Sequence, residues 1–137
     1  MKRRPTDAEL AILRVLWSRG PSTVREVADA MRHQGAYTTV LKTLQIMTEK
    51  ALVRRNDAER SHVYEAAASE TSTQRQLVTD LMQRVFEGSA AKLVLQALQA
   101  GKASPDELAE IRRLLDAHRT GKTEKQGKTD KQGGGRS

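Results

Sequence analysis

The chain has 137 residues, no cysteine and a formal net charge of +7. This length allows one or two small domains, and the lack of cysteine excludes disulfides, thiolate metal sites and cysteine nucleophiles. No apolar run reaches the ~18 residues of a membrane span, so we expect a cytoplasmic protein. The chain has one Trp, two Tyr and one Phe, too few for the stacking surfaces of single-strand binders. The positive charge and the small number of aromatic residues together favour duplex DNA over single-stranded nucleic acid as the partner.

Two capping boxes place the first two helices. Thr6 and Glu9 precede one apolar stripe at helical spacing, and Thr23 and Glu26 precede a second, shorter one. The first helix should end at the Gly-Pro pair that follows it, and the second at Gln34-Gly35. These are the first two of the three helices that precede the hairpin in a winged helix-turn-helix.

The third helix is predicted from about Tyr37 to Lys50, and its two faces differ. One face is an apolar stripe made of Val40, Leu44, Met47 and Ala51. At about 100° per residue, the opposite face carries Thr38, Thr39, Lys42, Gln45, Ile46 and Glu49. Thr can bond to several bases, Gln can pair with adenine, and Lys can reach guanine or a phosphate. This face is therefore predicted to read DNA.

A hairpin is predicted after the third helix. β-prone runs at 52–55 and 61–66 flank the polar turn 56–60. Arg54, Arg55 and Arg60 lie on or beside this turn. A hairpin next to a reading helix would hold such cations against the phosphate backbone or the minor groove. The alternative is that these arginines are only solvated strand residues.

The second half contains three more predicted helices, opened near Ser72, at Ser89 and at Ser104. Their apolar stripes include Leu77, Leu81, Val85, Leu93, Leu98, Leu108, Ile111 and Leu115. Residues 71–119 are too few to bury these stripes within one chain. We expect two copies to cover one another about a two-fold axis, and the alternative is a monomer in which the helices fold back on the first domain.

The predicted fold is mostly α. Residues 1–70 form a winged helix-turn-helix of three helices and a two- or three-stranded wing, and residues 71–119 form a three-helix dimerisation domain. Residues 120–137 form a basic Gly/Lys/Gln tail with no apolar residue, so we expect it to be disordered.

No catalytic or metal-binding pattern is found in the sequence. The Gly-Lys-Thr of the tail lacks the upstream glycine of a phosphate loop. His33, His62 and His118 are isolated in sequence, so no short metal-ligand spacing exists. No nucleophile and base pair is evident. We therefore predict no enzymatic activity, no cofactor and no metal.

From Thr6 to about Arg119 the chain resembles the penicillinase repressors. The matching segments are Thr6-Asp7-Ala8-Glu9, Leu16-Trp17, Thr23-Val24-Arg25-Glu26-Val27, Tyr37-Thr38-Thr39-Val40 and Arg60-Ser61-His62-Val63-Tyr64. The resemblance implies a homodimeric repressor that reads a pseudo-palindromic operator in the major groove. It also implies that Thr38, Thr39 and Lys42 face the groove and that Arg60 is the wing-tip contact.

Two positions depart from the family pattern. Ile46 stands where many relatives have arginine, so an apolar contact is expected there. Ala51 stands at the usual glycine position that ends the recognition helix. Since an alanine at positive φ would be strained by roughly 1 kcal/mol, we expect the helix to end differently.

The resemblance also implies a mode of release. In the β-lactam systems, a membrane-bound sensor-peptidase triggers cleavage in the dimerisation domain at an Asn-Phe bond. The matching pair here is Gln96-Ala97, which defines a possible cleavage region. Two rival functions remain open: a nonspecific architectural DNA binder and a winged-helix module that binds proteins.

Overall fold

The computed structural model describes residues 4–32, 36–58 and 60–133, with side chains as far as residue 121. The elements in these residues are α1 Asp7–Arg19, β1 Ser22–Thr23, α2 Val24–Met31, α3 Tyr37–Glu49, β2 Val53–Asn56, β3 Val63–Ala66, α4 Glu70–Val85, α5 Ala90–Ala100 and α6 Pro105–Gly133. The mostly helical fold class is confirmed. His33 and the break predicted at Gln34-Gly35 lie outside the described residues.

Local sequence explains where the first helices begin and end. Both predicted capping boxes are present: Thr6 with Glu9 and Thr23 with Glu26, each pair exchanging hydrogen bonds of 2.8–3.2 Å. These bonds satisfy N–H groups that a helix start would otherwise leave unpaired. α1 ends at Gly20, whose φ of 92° lies in the region that favours glycine.

The end of α3 differs from our expectation. The side chain of Ala51 is exposed, so it does not belong to the buried stripe in which we predicted it. Its φ of 65° lies in the left-handed region, which we expected an alanine at this position to avoid. The Ala51 N–H bonds to the Thr48 carbonyl at 3.0 Å, and the Leu52 N–H bonds to the Met47 carbonyl at 2.9 Å. This is a Schellman motif, normally closed by glycine. Pairing of the last helical carbonyls offsets the strain at Ala51.

The wing is a three-stranded antiparallel sheet in the order β1-β3-β2. β2 and β3 form the predicted hairpin, with Arg54 opposite Glu65 and Arg55 opposite Tyr64. The two-residue β1 pairs with the outer side of β3, with Ser22 opposite Tyr64. The sheet therefore begins in the turn between α1 and α2 and fixes the hairpin to the helices.

One hydrophobic core holds the winged head, which we define as α1–α3 with β1–β3. Its buried apolar residues are Ile12, Leu13, Leu16, Val24, Val27, Ala28, Val40, Leu44, Met47, Val53 and Tyr64. Trp17 packs at the edge of this core, and its Nε1–H donates to the Ala68 carbonyl at 2.9 Å. All three helices and both hairpin strands therefore contribute to the same core.

Cα packing divides the chain into a unit ending at Gly88 and a unit beginning at Ser89. The boundary predicted at residue 70 lies at the start of α4, which Ser69 caps. α6 continues to Gly133, and residues 134–137 of the predicted tail lie outside the described residues.

Candidate nucleic-acid interface

α3 exposes the face that the sequence predicted. Val40, Leu44 and Met47 are buried in the core, which leaves the opposite face in solvent. The predicted reading residues are all exposed: Thr38, Thr39, Lys42, Gln45 and Ile46. Each of these side chains can contact base edges in a groove of DNA without any change in the packing of the head.

The polar groups on this face are available for binding. Within the described residues, neither the Lys42 ammonium nor the Gln45 amide has a hydrogen-bond or ion-pair partner. The donors of such a lysine or glutamine are bonded only to water. They can therefore replace that water with the edge of a base, and no hydrogen bond within the protein has to break. Ile46 beside them is 40% exposed and adds an apolar surface of the kind that contacts a thymine methyl.

A part-buried ion pair holds the end of α3 against the start of α1. Lys50 Nζ donates to both carboxylate oxygens of Glu9, at 3.1 and 2.9 Å. Glu9 is only 3% exposed, and the same carboxylate accepts the Thr6 N–H at 2.8 Å. Since removing Lys50 would leave the buried Glu9 carboxylate without its cation, this contact ties the end of α3 to the start of α1.

The two faces of the hairpin separate the wing arginines. Arg54 and Arg55 are adjacent, so their side chains leave opposite faces of β2. Arg54 pairs with Glu65 at 3.2 Å and donates to the Ala67 carbonyl at 3.3 Å. Arg55 shares the face of the buried Val53 and Tyr64. Only Arg55 of these two arginines therefore lies on the side of the wing that faces α3.

Arg55 belongs to a polar cluster at the start of the turn. Its Nε lies 2.8 Å from Asp57 Oδ1, and one of its terminal nitrogens donates to Asp57 Oδ2 at 3.1 Å. His62 Nδ1 lies 2.7 Å from Asp57 Oδ1. Hydrogen bonds to Asp57 and Tyr64 raise the pKa of the Arg55 guanidinium above its usual value. Arg55 therefore stays cationic at every working pH.

A groove runs between α2, α3 and the wing. It brings together three residues that the sequence predicted on separate elements: Gln45 of α3, Arg55 of β2 and Arg60 of the turn. Arg60 has no ion-pair partner in the part of the chain that the structure describes. The groove therefore combines a hydrogen-bonding amide with the two guanidinium groups of the wing, and Glu26 and Asp29 of α2 add carboxylates to its lining.

Arg25 and Tyr37 also line this groove, and sequence reasoning did not assign them to the site. The Arg25 guanidinium carbon lies 5.3 Å from the centre of the Tyr37 ring, which is a cation–π contact between α2 and the first turn of α3. Both side chains are exposed and line the groove. Arg25 could have been found from helical angles, because it lies outside the α2 face that carries Val24 and Val27.

The helices after the wing present apolar surface to solvent. α4 and α5 contain no buried residue, and none occurs in the described side chains of α6. Of the residues predicted at a dimer interface, five are exposed: Leu81, Val85, Leu98, Leu108 and Leu115. Leu93 and Ile111 are half-buried. Leu77 is also half-buried and lines a cleft of its own unit, beside Leu13 and Leu52.

Two further features of the structure bear on function. Gln96 and Ala97 are exposed within α5, in the region predicted for cleavage. Over the described ranges, no group of three or more His, Asp or Glu residues could hold a metal ion, and no helix is long and apolar enough to cross a membrane.

A three-helix head with a hairpin beside its exposed third helix defines the winged helix class of proteins. The chain belongs to the penicillinase repressor family, whose sequence profile matches residues 5–117. It is 34% identical over 113 residues to the transcriptional regulator BlaI of Mycobacterium tuberculosis strains CDC 1551 / Oshkosh and ATCC 25618 / H37Rv, covering 80% of each chain. It is also 25% identical over 130 residues to the penicillinase repressor of Bacillus licheniformis, covering 90% of this chain and all of that protein. Members of this family are transcriptional regulators and not enzymes.

Proposed function

We propose that this protein is a homodimeric transcriptional repressor that inserts α3 into the major groove of a pseudo-palindromic operator. The observation that carries the proposal is the two-faced α3: a buried stripe fixes the helix, and its opposite face offers unpaired Lys42 and Gln45 groups. In this arrangement Thr38, Thr39 and Ile46 complete the base-reading surface.

The wing adds contacts to the DNA backbone in this proposal. Arg60 and Arg55 border the groove next to α3, where guanidinium groups would meet phosphates on one side of the reading helix. Arg54 is directed to the other face and is bonded to Glu65. We therefore narrow the proposed wing contacts to Arg55 and Arg60.

The proposed dimer forms through the helices that follow the wing. Apolar residues of α4–α6 are exposed in the single chain, and a groove on the second unit is lined by Val94, Ile111, Leu114 and Leu115. A second copy of the chain would bury this surface symmetrically. Linking two heads makes the second half-site contact effectively intramolecular, so that the dimer binds far more tightly than one head alone.

We further propose that cleavage within the helical region releases the protein from its operator. A membrane-bound sensor-peptidase would trigger this cleavage. The exposed pair Gln96 and Ala97 lies within α5, so a cut there would divide the proposed interface. An engineered protease site between these residues tests the coupling. Cutting should convert the dimer to monomers and weaken operator binding, and a cut protein that binds as before would contradict it.

Selection of genomic DNA fragments by the purified full-length protein at physiological salt tests the reading function. Enrichment of an inverted repeat beside promoters is the expected result. Uniform recovery of all fragments would instead indicate a nonspecific architectural binder. Recovery of none would leave a winged-helix module that binds proteins.

A further inference from the structure

The three wing arginines differ in what they are bonded to. Arg54 pairs with Glu65, and Arg55 pairs with Asp57. Arg60 has no such partner among the residues that the structure describes. The wing therefore presents less uncompensated positive charge than its three arginines alone would suggest.

Asp57 is placed where DNA would approach. With Gln45 and Arg55, it lines a cleft at the side of α3. Both of its carboxylate oxygens bind Arg55, and Oδ1 also lies 2.7 Å from His62 Nδ1. Asp57 occupies Nε and one terminal nitrogen of Arg55, so a phosphate that binds this edge of the guanidinium has to take the place of the carboxylate.

We propose that Asp57 is a specificity-determining residue that competes with DNA phosphates for Arg55 and so restrains binding to DNA of any sequence. This inference rests on the proposed DNA-binding function. In this proposal, the Asp57 carboxylate weakens the contacts that the wing makes with DNA of any sequence. Binding then depends more strongly on the base contacts of α3, which differ between one DNA sequence and another.

The physical basis is an exchange of partners at the protein surface. The Arg55 and Asp57 side chains are 42% and 50% exposed, so their pair is weak enough for a phosphate to displace it. Displacement still leaves a negative carboxylate near a negative phosphate, which opposes binding. Because phosphate contacts dominate nonspecific affinity, this opposition reduces binding to random DNA.

The chain contains a matched control on the other face of the hairpin. Glu65 pairs with Arg54 at 3.2 Å, and Glu65→Gln changes the net charge by the same amount as Asp57→Asn. Since Arg54 and Glu65 are directed away from the side facing α3, the control variant measures the general effect of one added charge.

The test compares full-length wild type, Asp57→Asn and Glu65→Gln on one mixed-sequence duplex, between roughly 50 and 200 mM salt. Asp57→Asn should bind about threefold to tenfold more tightly than wild type, with a logarithmic salt slope steeper by up to about 0.9, because Arg55 then binds its phosphate without competition from a carboxylate. Glu65→Gln should change the affinity by less than about twofold. Thermal unfolding of each variant checks that the wing remains folded.

A second comparison tests whether Asp57 acts through Arg55. In an Arg55→Ala background, the gain from Asp57→Asn should fall to less than half on a logarithmic scale; an undiminished gain would overturn the competition. Equal gains from Asp57→Asn and Glu65→Gln would overturn the inference. So would weaker binding by Asp57→Asn, since Asp57 would then position Arg55 for DNA. Failure of the wild type to bind at low salt would overturn the proposed function itself.

Discussion

The winged head and the helices that follow it treat their apolar residues in opposite ways. The head buries its large side chains in one core, so that Val27, Leu44 and Met47 are fully enclosed. α4 and α5 bury none, and Leu114 and Leu115 of α6 are more than half exposed. The head therefore encloses its own apolar residues and exposes polar ones, whereas the later helices leave an apolar surface that we propose a second copy of the chain covers.

The largest expected effect comes from opening the core of the head. Leu44→Ala should lower the free energy of unfolding by about 2–5 kcal/mol, because it removes a fully buried side chain and leaves a cavity. Trp17 is the single tryptophan of the chain, so fluorescence during urea titration reports on the head. Leu115→Ala is the control, because it removes an exposed side chain outside the head. An equal loss of head stability from this variant would contradict the difference in burial between the head and the later helices.

The second prediction concerns the exposed leucines. Leu115 is 58% exposed in the single chain. A two-fold symmetric dimer would bury one Leu115 from each copy, so that Leu115→Gln changes the interface at two places. The variant should therefore raise the dimer dissociation constant at least about tenfold, as measured by sedimentation. Arg112→Gln places the same residue at an exposed polar position on α6 and should have little effect. Unchanged dimerisation by Leu115→Gln would remove Leu115 from the interface.

The third prediction concerns the polar face of the head. Lys42→Ala should reduce affinity for the preferred operator by ~1–3 kcal/mol, with little change on random DNA, because Lys42 is proposed to read a base. Arg60→Ala should weaken binding to all sequences alike and reduce the salt slope by about one. Both variants are measured by titration of operator and random duplexes. Uniform losses from both variants would exclude base reading by Lys42.

The smallest expected effect is a gain in stability at the end of α3. Ala51 has a φ of 65°, so Ala51→Gly relieves strain in the head and should stabilise it by about 0.5–1 kcal/mol. Ala30→Gly, at an exposed site within α2, should destabilise by about the same amount. Urea titration followed by Trp17 fluorescence measures both variants. Destabilisation by Ala51→Gly would show that the strain is negligible.

Most of the head could be predicted from the sequence because its signals are local. Thr6 with Glu9 and Thr23 with Glu26 mark helix starts within four residues, and their bonds form as expected. The buried stripe of α3 follows from helical spacing alone, and it predicts which face is exposed.

Features that depend on distant partners could not be predicted. β1 has only two residues and exists because Ser22 and Thr23 meet β3. The left-handed conformation of Ala51 depends on the direction in which the chain must continue, and the sequence at that position argues against it. The pairing of Arg54 with Glu65 depends on hairpin register, and it changes which wing cations are available.

The measurement that tests the central claim most directly compares two duplexes, one with the complete selected inverted repeat and one with a single half-site. Full-length protein is titrated on both at physiological salt. Two heads joined through the helical region predict binding to the complete repeat at least ~10²-fold more tightly than to the half-site. Equal affinity for the two duplexes would contradict the account, because it would mean that one head acts without its partner.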